Sequence, residues 1–405
     1  MKRLTAIIVI CLPALLHAQG FQVSLQGQKQ QGMAGAGTGL LQDGAALFYN
    51  PGSVSFLKKN SVSLGATAVV SHSQFVDASS STVSESQSPV SYPFTGYVVM
   101  GKPGGKLKYG VAAYTPFGST IDWEPGWTGR FVLTHLQLFA VYVQPTVSYQ
   151  ISDKLGIGAG FVYGTGKVNL QRDLPVTDNK GNYGTAELDG KATGYGFNAG
   201  IYYKPTDKLS LGFTYHSDVA MKLKKGTADF NVPASLSGNF PSGNFSSELP
   251  LPKIISFGAG YMATKKLTFA FDASMIGWKS FDTVTFDYEK NTPELQDTKT
   301  AYNYKNAYAY RLGAQYSVNS KLDARLGIKY LITPVQDGFV SPDVPDATHF
   351  NYSAGLGYKL GSRLTADVSF TFEQMKRTDT NQATQLSGTY KTNLFLPGIS
   401  FNYNF

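Results

Sequence analysis

Cysteine is almost absent from the 405-residue chain, which contains only Cys11. A basic start, an apolar run from Leu4 to Leu16 and the small residue Ala18 are together typical of a secretory signal peptide, predicted here over residues 1–18. Because Cys11 lies inside that segment, the mature chain is expected to have no disulfide, no thiol nucleophile and no cysteine metal ligand, although the export route permits disulfides.

Long apolar runs and clustered charge are also missing. After residue 18 no stretch approaches 18 consecutive apolar residues, which excludes a transmembrane helix. The net charge of +8 is spread without any Lys/Arg block, so nucleic acid is not an expected partner. The four histidines after the signal peptide lie in no nucleophile motif and show no HExxH spacing. We therefore expect neither an enzyme nor a metal or cofactor site.

The chain is rich instead in Tyr (25), Phe (26) and Gly (43), a composition that favours β-structure. Apolar and polar residues alternate on both sides of a recurring short phrase, for example over Leu364–Glu373, and this period of two is that of a strand. Each phrase is therefore predicted to be a tight turn between two long strands. The copies are MGKPGGKL (100–107), YQISDKL (149–155), YYKPTDKL (202–209), YMATKKL (261–267), YSVNSKL (316–322) and YKLGSRL (358–364).

The six turns account for twelve strands, and a first strand from Asn60 and a last one ending at Phe405 bring the prediction to fourteen antiparallel strands. Long polar connections at about 172–188, 224–250, 288–300 and 335–348 would lie at the opposite end from the short turns, and a tyrosine begins most turns. This is the pattern of an outer-membrane β-barrel with aromatic girdles in lipid. The predicted barrel covers residues 59–405. A soluble secreted β-sandwich is the alternative, but its strands are typically shorter.

Residues 19–58 do not alternate and are rich in Gly, Ala and Gln. A fourteen-stranded barrel is too wide for its own side chains to fill. We predict that this segment is a compact plug in the lumen, with Asp43 capping a helical turn over residues 44–49 that Pro51 ends.

Several stretches in this order resemble one family. They are GFQVSLQGQKQQGMAGAGTGL and ALFYNPGSVSFL near the start, YGVAAYTPFG (109–118), WEPGWTGRF (123–131), QPTVSYQISDKLGIGAG (144–160), LPKIISFGAGY (251–261), IGWKSFD (276–282) and YRLGAQY (310–316). The sequence is similar to the FadL/TodX family of outer-membrane transporters for long-chain fatty acids and aromatic hydrocarbons.

The resemblance implies a monomeric barrel in the outer membrane of a Gram-negative bacterium, whose N-terminal plug is called a hatch. Hydrophobic molecules, or detergent in crystals, would enter between the outer loops, bind an apolar pocket and leave sideways through a kink in the third strand. An Asn-Pro-Ala motif of the hatch lies against that opening in the family. This chain has Asn50-Pro51-Gly52, which keeps a small residue there and predicts a looser backbone.

The third strand is predicted from Leu107 to about Phe117. Pro116 cannot donate to a strand ladder, which is a physical reason for a break in the wall there. If Pro116 instead lies at the strand's outer end, Gly110 or the small pair Ala112–Ala113 marks the kink. The predicted residues of the hatch and lateral opening are Phe21, Asn50, Pro51, Gly52, Gly110, Ala112, Ala113 and Pro116.

Substrate contacts are predicted in two places. The connection after the third strand, expected to face water, holds the aromatic residues Phe117, Trp123, Trp127 and Phe131. These would form an apolar groove, or else pack on one another or on lipid. Strand parity directs three cations into the lumen, Arg311, Arg325 and Lys329. They would bind a substrate carboxylate, or else pair with carboxylates of the barrel and plug.

The expected function is passive transport of hydrophobic compounds. An adhesive barrel with partner-binding loops and an open general porin are the alternatives, and the plug-like segment argues against the porin.

Overall fold

A computed structural model of the chain describes residues 20–405. The predicted signal peptide, and Gln19 after it, lie outside this part of the chain. Within residues 20–405, no helix has the length and apolar character needed to cross a bilayer.

Strands dominate the described residues, and eight of them are continuous barrel strands. These are β5 (Leu107–Asp122), β6 (His135–Gln150), β7 (Leu155–Thr177), β8 (Tyr183–Tyr203), β17 (Leu322–Ile332), β18 (His349–Lys359), β19 (Leu364–Thr380) and β20 (Ser387–Asn404).

Six further barrel strands are each interrupted and consist of two segments. The pairs are β1 (Ser61–Thr67) with β2 (Val70–Asp77), β3 (Val83–Glu85) with β4 (Phe94–Met100), β9 (Leu209–His216) with β10 (Val219–Asn231), β11 (Gly243–Leu251) with β12 (Ile254–Met262), β13 (Leu267–Ile276) with β14 (Thr283–Tyr288), and β15 (Thr298–Ala301) with β16 (Ala307–Ser317).

The fourteen barrel strands close into a cylinder by antiparallel pairing of neighbours, which confirms the predicted fold class. Closure joins the first barrel strand to the last, with Ser61 opposite Asn404 and Thr67 opposite Gly398. The six recurring phrases form the short turns, as predicted. At five of them a tyrosine points outward with 43–48% of its surface exposed, namely Tyr149, Tyr203, Tyr261, Tyr316 and Tyr358. These rings form one aromatic girdle.

Alternation along the strands separates two environments. Outward-facing apolar side chains such as Leu312 and Leu326 are exposed, which only a lipid surrounding explains at this scale. Their neighbours Arg311 and Arg325 are buried in the lumen. The predicted parity of the wall is therefore confirmed at these positions.

The connections opposite the short turns are shorter than predicted in three of four cases. β7 and β8 leave only residues 178–182 between them, and β10 and β11 leave 232–242. Beyond the lipid, both faces of a strand contact water or neighbouring residues, so neither face must be apolar. The polar sequence in these parts was therefore read as loop although it forms paired strands. The connection at 333–348 agrees with the prediction.

Residues 20–56 are mostly buried and pack on inward-facing residues of the wall, for example Met33 on Gly313 and Gly327. They contain α1 (Gln28–Gln31), α2 (Ala46–Tyr49) and a 3-10 helix (Pro51–Phe56). Asp43 Oδ1 accepts from Ala45 N at 3.0 Å in the turn before α2, but the helix starts two residues later than predicted and its N-cap is Ala45, without a side-chain cap. The inward carboxylate of Asp272 accepts from Gly37 N and Thr38 N, each at 2.9 Å, so the wall holds the hatch by its backbone.

Candidate functional site: a break in the barrel wall and two adjoining cavities

The barrel wall is interrupted between its second and third strands. The ladder between β4 and β5 ends at the pair Thr95–Tyr114. The next bridge between these two barrel strands joins Ser86 to Trp123. Between these two pairs, no ladder joins the second and third barrel strands in the described part of the chain. Residues 115–121 of β5 therefore border an opening.

β5 is distorted where the opening begins. Its register with β6 shifts between Tyr114 and Phe117, which makes Thr115 and Pro116 a β-bulge. Proline has no N–H for a ladder, so a break at Pro116 has the physical cause predicted from the sequence. β5 then continues to Asp122, past its predicted end at Phe117.

The alternative positions for the kink were wrong. Gly110, Ala112 and Ala113 pair without irregularity with both β4 and β6. A Cβ added at Gly110 would collide with the Leu47 side chain of α2, so the missing side chain there makes room for the hatch.

The first residues of the hatch occupy the open edge of β5. Val23 N donates to Pro116 O at 2.8 Å, and Gly118 N donates to Phe21 O at 3.0 Å. Gly20 N donates to Asp346 Oδ2 at 2.7 Å, which ties the same segment to the connection 333–348. Phe21 therefore lies on the edge of β5 beside the break.

The Asn50-Pro51-Gly52 motif lies elsewhere, against the glycine-rich inner faces of β7 and β8. Asn50 Nδ2 donates to Ile201 O at 3.0 Å. A Cβ added to Gly52 would lie 2.7 Å from Gly200 O and 2.8 Å from Gly156 O. The prediction that this motif lies beside the third strand was therefore wrong. The backbone at Gly52 is tightly enclosed, because two glycines of the wall allow it to approach closely.

A cavity of about 430 Å³ extends from the wall break into the lumen. Its outer part is lined by residues 91–94 and 118–121, and its inner part by Lys329, His349 and Glu373. Lys329 Nζ lies 3.9 Å from Glu373 Oε1, and His349 Nε2 lies 3.2 Å from Glu373 Oε2. The cavity therefore joins a route to lipid with a charged inner end.

The two predicted arginines lie away from this cavity. Arg325 donates from Nη1 to Asp367 Oδ1 at 2.8 Å and from Nε to Gln315 Oε1 at 2.7 Å. Arg311 donates to Ser274 Oγ at 2.8 Å beside a small polar cavity under the hatch. Arg325 therefore pairs with a carboxylate of the barrel, which was the alternative to binding a substrate carboxylate.

A second, apolar cavity of about 80 Å³ adjoins the first on the side of β6 to β14. It is enclosed by Phe21, Phe117, Met221, Leu251 and Phe281 among others. Both cavities share Leu138, Phe139 and Asp343 as lining residues. Phe21 and Phe117 line the apolar cavity, whereas their chain neighbours Gly20, Gln22 and Gly118 line the larger one.

The predicted aromatic groove is not exposed to water. Trp123 and Trp127 are buried and stacked, with ring centroids 4.4 Å apart. Phe117 is a buried residue of β5 and packs against Trp278 at 6.0 Å. The expectation failed because β5 extends beyond Phe117, which turns these side chains inward. Phe131 is half-buried against Tyr183.

The connection 333–348 covers this aromatic cluster. The alternation of apolar and polar residues along strands did not predict that role for a loop. Trp123 Nε1 donates to Pro342 O at 3.2 Å, and Tyr302 Oη donates to Asp343 Oδ2 at 2.9 Å. Burial raises the pKa of the Asp343 carboxyl. Trp278 and Phe281 belong to the stretch IGWKSFD, which contributed to the family resemblance. Their orientation could not be predicted, because the 3-10 turn there has no strand periodicity.

Comparison with known proteins agrees with this architecture. Residues 9–405 match the family model described as outer membrane protein transport protein (OMPP1/FadL/TodX). The long-chain fatty acid transport protein of Escherichia coli K12 is 22% identical over 100% of this chain and 98% of its own. A crystal structure of a Pseudomonas aeruginosa FadL homologue superposes with a TM-score of 0.83 at 21% identity, covering 96% of this chain and 100% of the other.

The Pseudomonas putida toluene transporter TodX superposes with a TM-score of 0.73 at 17% identity, covering 96% of this chain and 99% of the other. These structures support the fold, and the family model covers nearly the whole chain. The chain therefore belongs to the OMPP1/FadL/TodX family of outer-membrane proteins, which are transporters of hydrophobic compounds and not enzymes.

Proposed function

We propose that this protein takes up long-chain fatty acids or monoaromatic hydrocarbons and releases them sideways through the break between its second and third barrel strands. The observation that carries the proposal is the cavity of about 430 Å³ that reaches from residues 91–94 at the wall to Lys329 in the lumen. Its volume lies within the range of small-molecule sites. The hatch fills the axial route, so a lateral path is the open alternative.

The proposed route has two steps. A hydrophobic molecule first occupies the apolar cavity bounded by Met221, Leu251 and Phe281, where its surface is removed from water. Movement of Phe21 and Phe117 then admits it to the larger cavity, which their chain neighbours Gly20, Gln22 and Gly118 line. Phe21 belongs to the hatch segment on the β5 edge, held there by two backbone hydrogen bonds, so this barrier is local.

Fatty acids fit the charged inner end better than neutral hydrocarbons do. The Lys329 ammonium lines this end of the cavity 3.9 Å from Glu373 Oε1, so a substrate carboxylate that enters meets a cation there. The acyl chain would then point toward the opening. A monomer remains the proposed state, and closure of the barrel within one chain supports it.

Uptake of labelled oleate and toluene by cells lacking their own transporter tests the proposal. Ser119→Trp places a large ring in the lining of the opening and should reduce uptake to that of cells without the protein. Ala113→Trp is the matched control on the same strand, at a regularly paired position opposite the outward Val143, and should transport normally. Normal uptake by correctly assembled Ser119→Trp protein would exclude the lateral route.

A further inference from the structure

Five lysines lie on the outer surface of the barrel, on three adjacent strands. Lys167 is on β7, Lys191 on β8, and Lys222, Lys224 and Lys225 are on β10. On β7 and β8 they continue the outward parity of exposed rings, among them Tyr163 and Tyr195. The group, called here the lysine belt, therefore projects from the outer face of the wall, and of its members Lys167 also lines the apolar cavity.

Strand register brings the belt together. Lys167 and Lys191 are direct cross-strand partners, and Lys222 is opposite Thr193, two residues from Lys191. A register shift between Leu223 and Gly226 inserts one extra residue, so Lys224 and Lys225 are both exposed despite being consecutive. Like charges opposite each other destabilise a sheet, so this arrangement needs anions close to the lysines.

The belt lies just beyond the apolar band. On β7 the outward residues from Leu155 to Tyr163 face lipid, and the Tyr163–Tyr195 ring pair, with centroids 5.5 Å apart, ends that band. Lys167 follows Tyr163 by four residues, which at a rise of about 3.3 Å per residue is roughly 13 Å along the strand. With the strand tilt of outer-membrane barrels, this is the level of the lipid headgroups at the end opposite the short turns.

Local carboxylates neutralise only part of the belt. Lys167 Nζ lies 2.8 Å from Asp189 Oδ2, and Lys222 Nζ lies 3.8 Å from Glu248 Oε2. Lys191, Lys224 and Lys225 form no ion pair in residues 20–405. Lys191 and Lys225 interact only electrostatically, at longer range, with the carboxylates of Asp189 and Glu289.

We propose that the lysine belt binds the phosphate groups of the phosphorylated glycolipid of the outer leaflet. Ammonium groups at headgroup level supply charge-assisted hydrogen bonds to phosphate. The exposed rings of Tyr163 and Tyr195, one step below, contact the acyl chains. This is a lipid site on the outer wall, which adjoins the apolar cavity at Lys167 and is distinct from the Lys329 end of the larger cavity.

The test compares two triple variants in delipidated, detergent-solubilised full-length protein. Lys191→Gln/Lys224→Gln/Lys225→Gln removes the lysines without an ion pair and leaves Lys167 and Lys222 in place. The control, Lys208→Gln/Lys266→Gln/Lys321→Gln, removes the same charge from exposed short turns. Native mass spectrometry measures binding of bisphosphorylated lipid A, dephosphorylated lipid A and inorganic phosphate, and heat-modifiable mobility checks assembly.

Wild type and control should bind bisphosphorylated lipid A equally. The belt variant should bind it about 100-fold more weakly, since each lysine at an anionic lipid surface contributes roughly fivefold. Equal binding by the belt variant, or an equal loss in the control, would overturn the proposal. Equally tight binding of dephosphorylated lipid A would show that apolar contact alone suffices, and equally tight binding of inorganic phosphate would exclude a lipid site.

Discussion

Gly52→Ala tests how the hatch is held in the lumen. The added Cβ would lie 2.7 Å from Gly200 O and 2.8 Å from Gly156 O, whereas ordinary contact begins at 3.4 Å. The hatch or the wall must therefore move by about 0.6–0.7 Å, and overpacking of a close-packed interior costs roughly 1–3 kcal/mol. This corresponds to an increase of about 5- to 150-fold in the opening of the hatch from the wall. The substitution restores the alanine of the family motif, so the expected loss is specific to this chain.

Hydrogen exchange followed by mass spectrometry measures that opening. Protection of the amides around residues 37–56 should fall by this factor, while the ladder between β19 and β20 stays protected. Gly238→Ala is the control, because a Cβ there has no heavy atom within 4 Å. If the hatch of Gly52→Ala exchanges as slowly as that of the control, the tight enclosure of Gly52 is refuted.

Three further predictions concern charged residues. Arg325→Met leaves the buried Asp367 carboxylate with only Lys29 Nζ, 3.9 Å away, in place of the guanidinium at 2.8 Å, so denaturation in detergent should reveal a loss of up to about 3–5 kcal/mol. An unchanged midpoint would contradict this role for the pair. Lys329→Met/Glu373→Gln removes both charges together and should lower oleate uptake while leaving toluene uptake intact; equal loss of both would exclude a carboxylate site. Because the folded pKa of Asp343 is raised, folding of the connection 333–348 favours the protonated carboxyl, and its protection factors should fall as pH rises from about 4 through that raised pKa. Asp343→Asn should abolish the change, and a pH dependence that persists in this variant would assign it to another group.

The barrel was predictable because its information is local. One face of each strand contacts lipid and the other the lumen, so a period of two is imposed wherever the strand crosses the membrane. The turns before Leu155 and Leu364 repeat one chemical pattern, and both strand number and parity follow from it. The prediction of a hatch had the opposite basis, since residues 19–58 lack that period.

The details of the candidate site depended on contacts between distant residues. The bulge at Pro116 had a local cause, but the opening beside it also requires β4 to begin only at Phe94, which no pattern indicated. Trp123 and Trp127 were expected to face water because the polar sequence around them conceals the extension of β5. The position of Asn50 is set by glycines on β7 and β8, more than 100 residues away along the chain.

A crystal structure with a bromine-labelled fatty acid tests the lateral route most directly. The account predicts anomalous density in the cavity between residues 91–94 and Ser119, with the carboxylate toward Lys329. Density along the barrel axis on the short-turn side of the hatch, with the wall break empty, would contradict it.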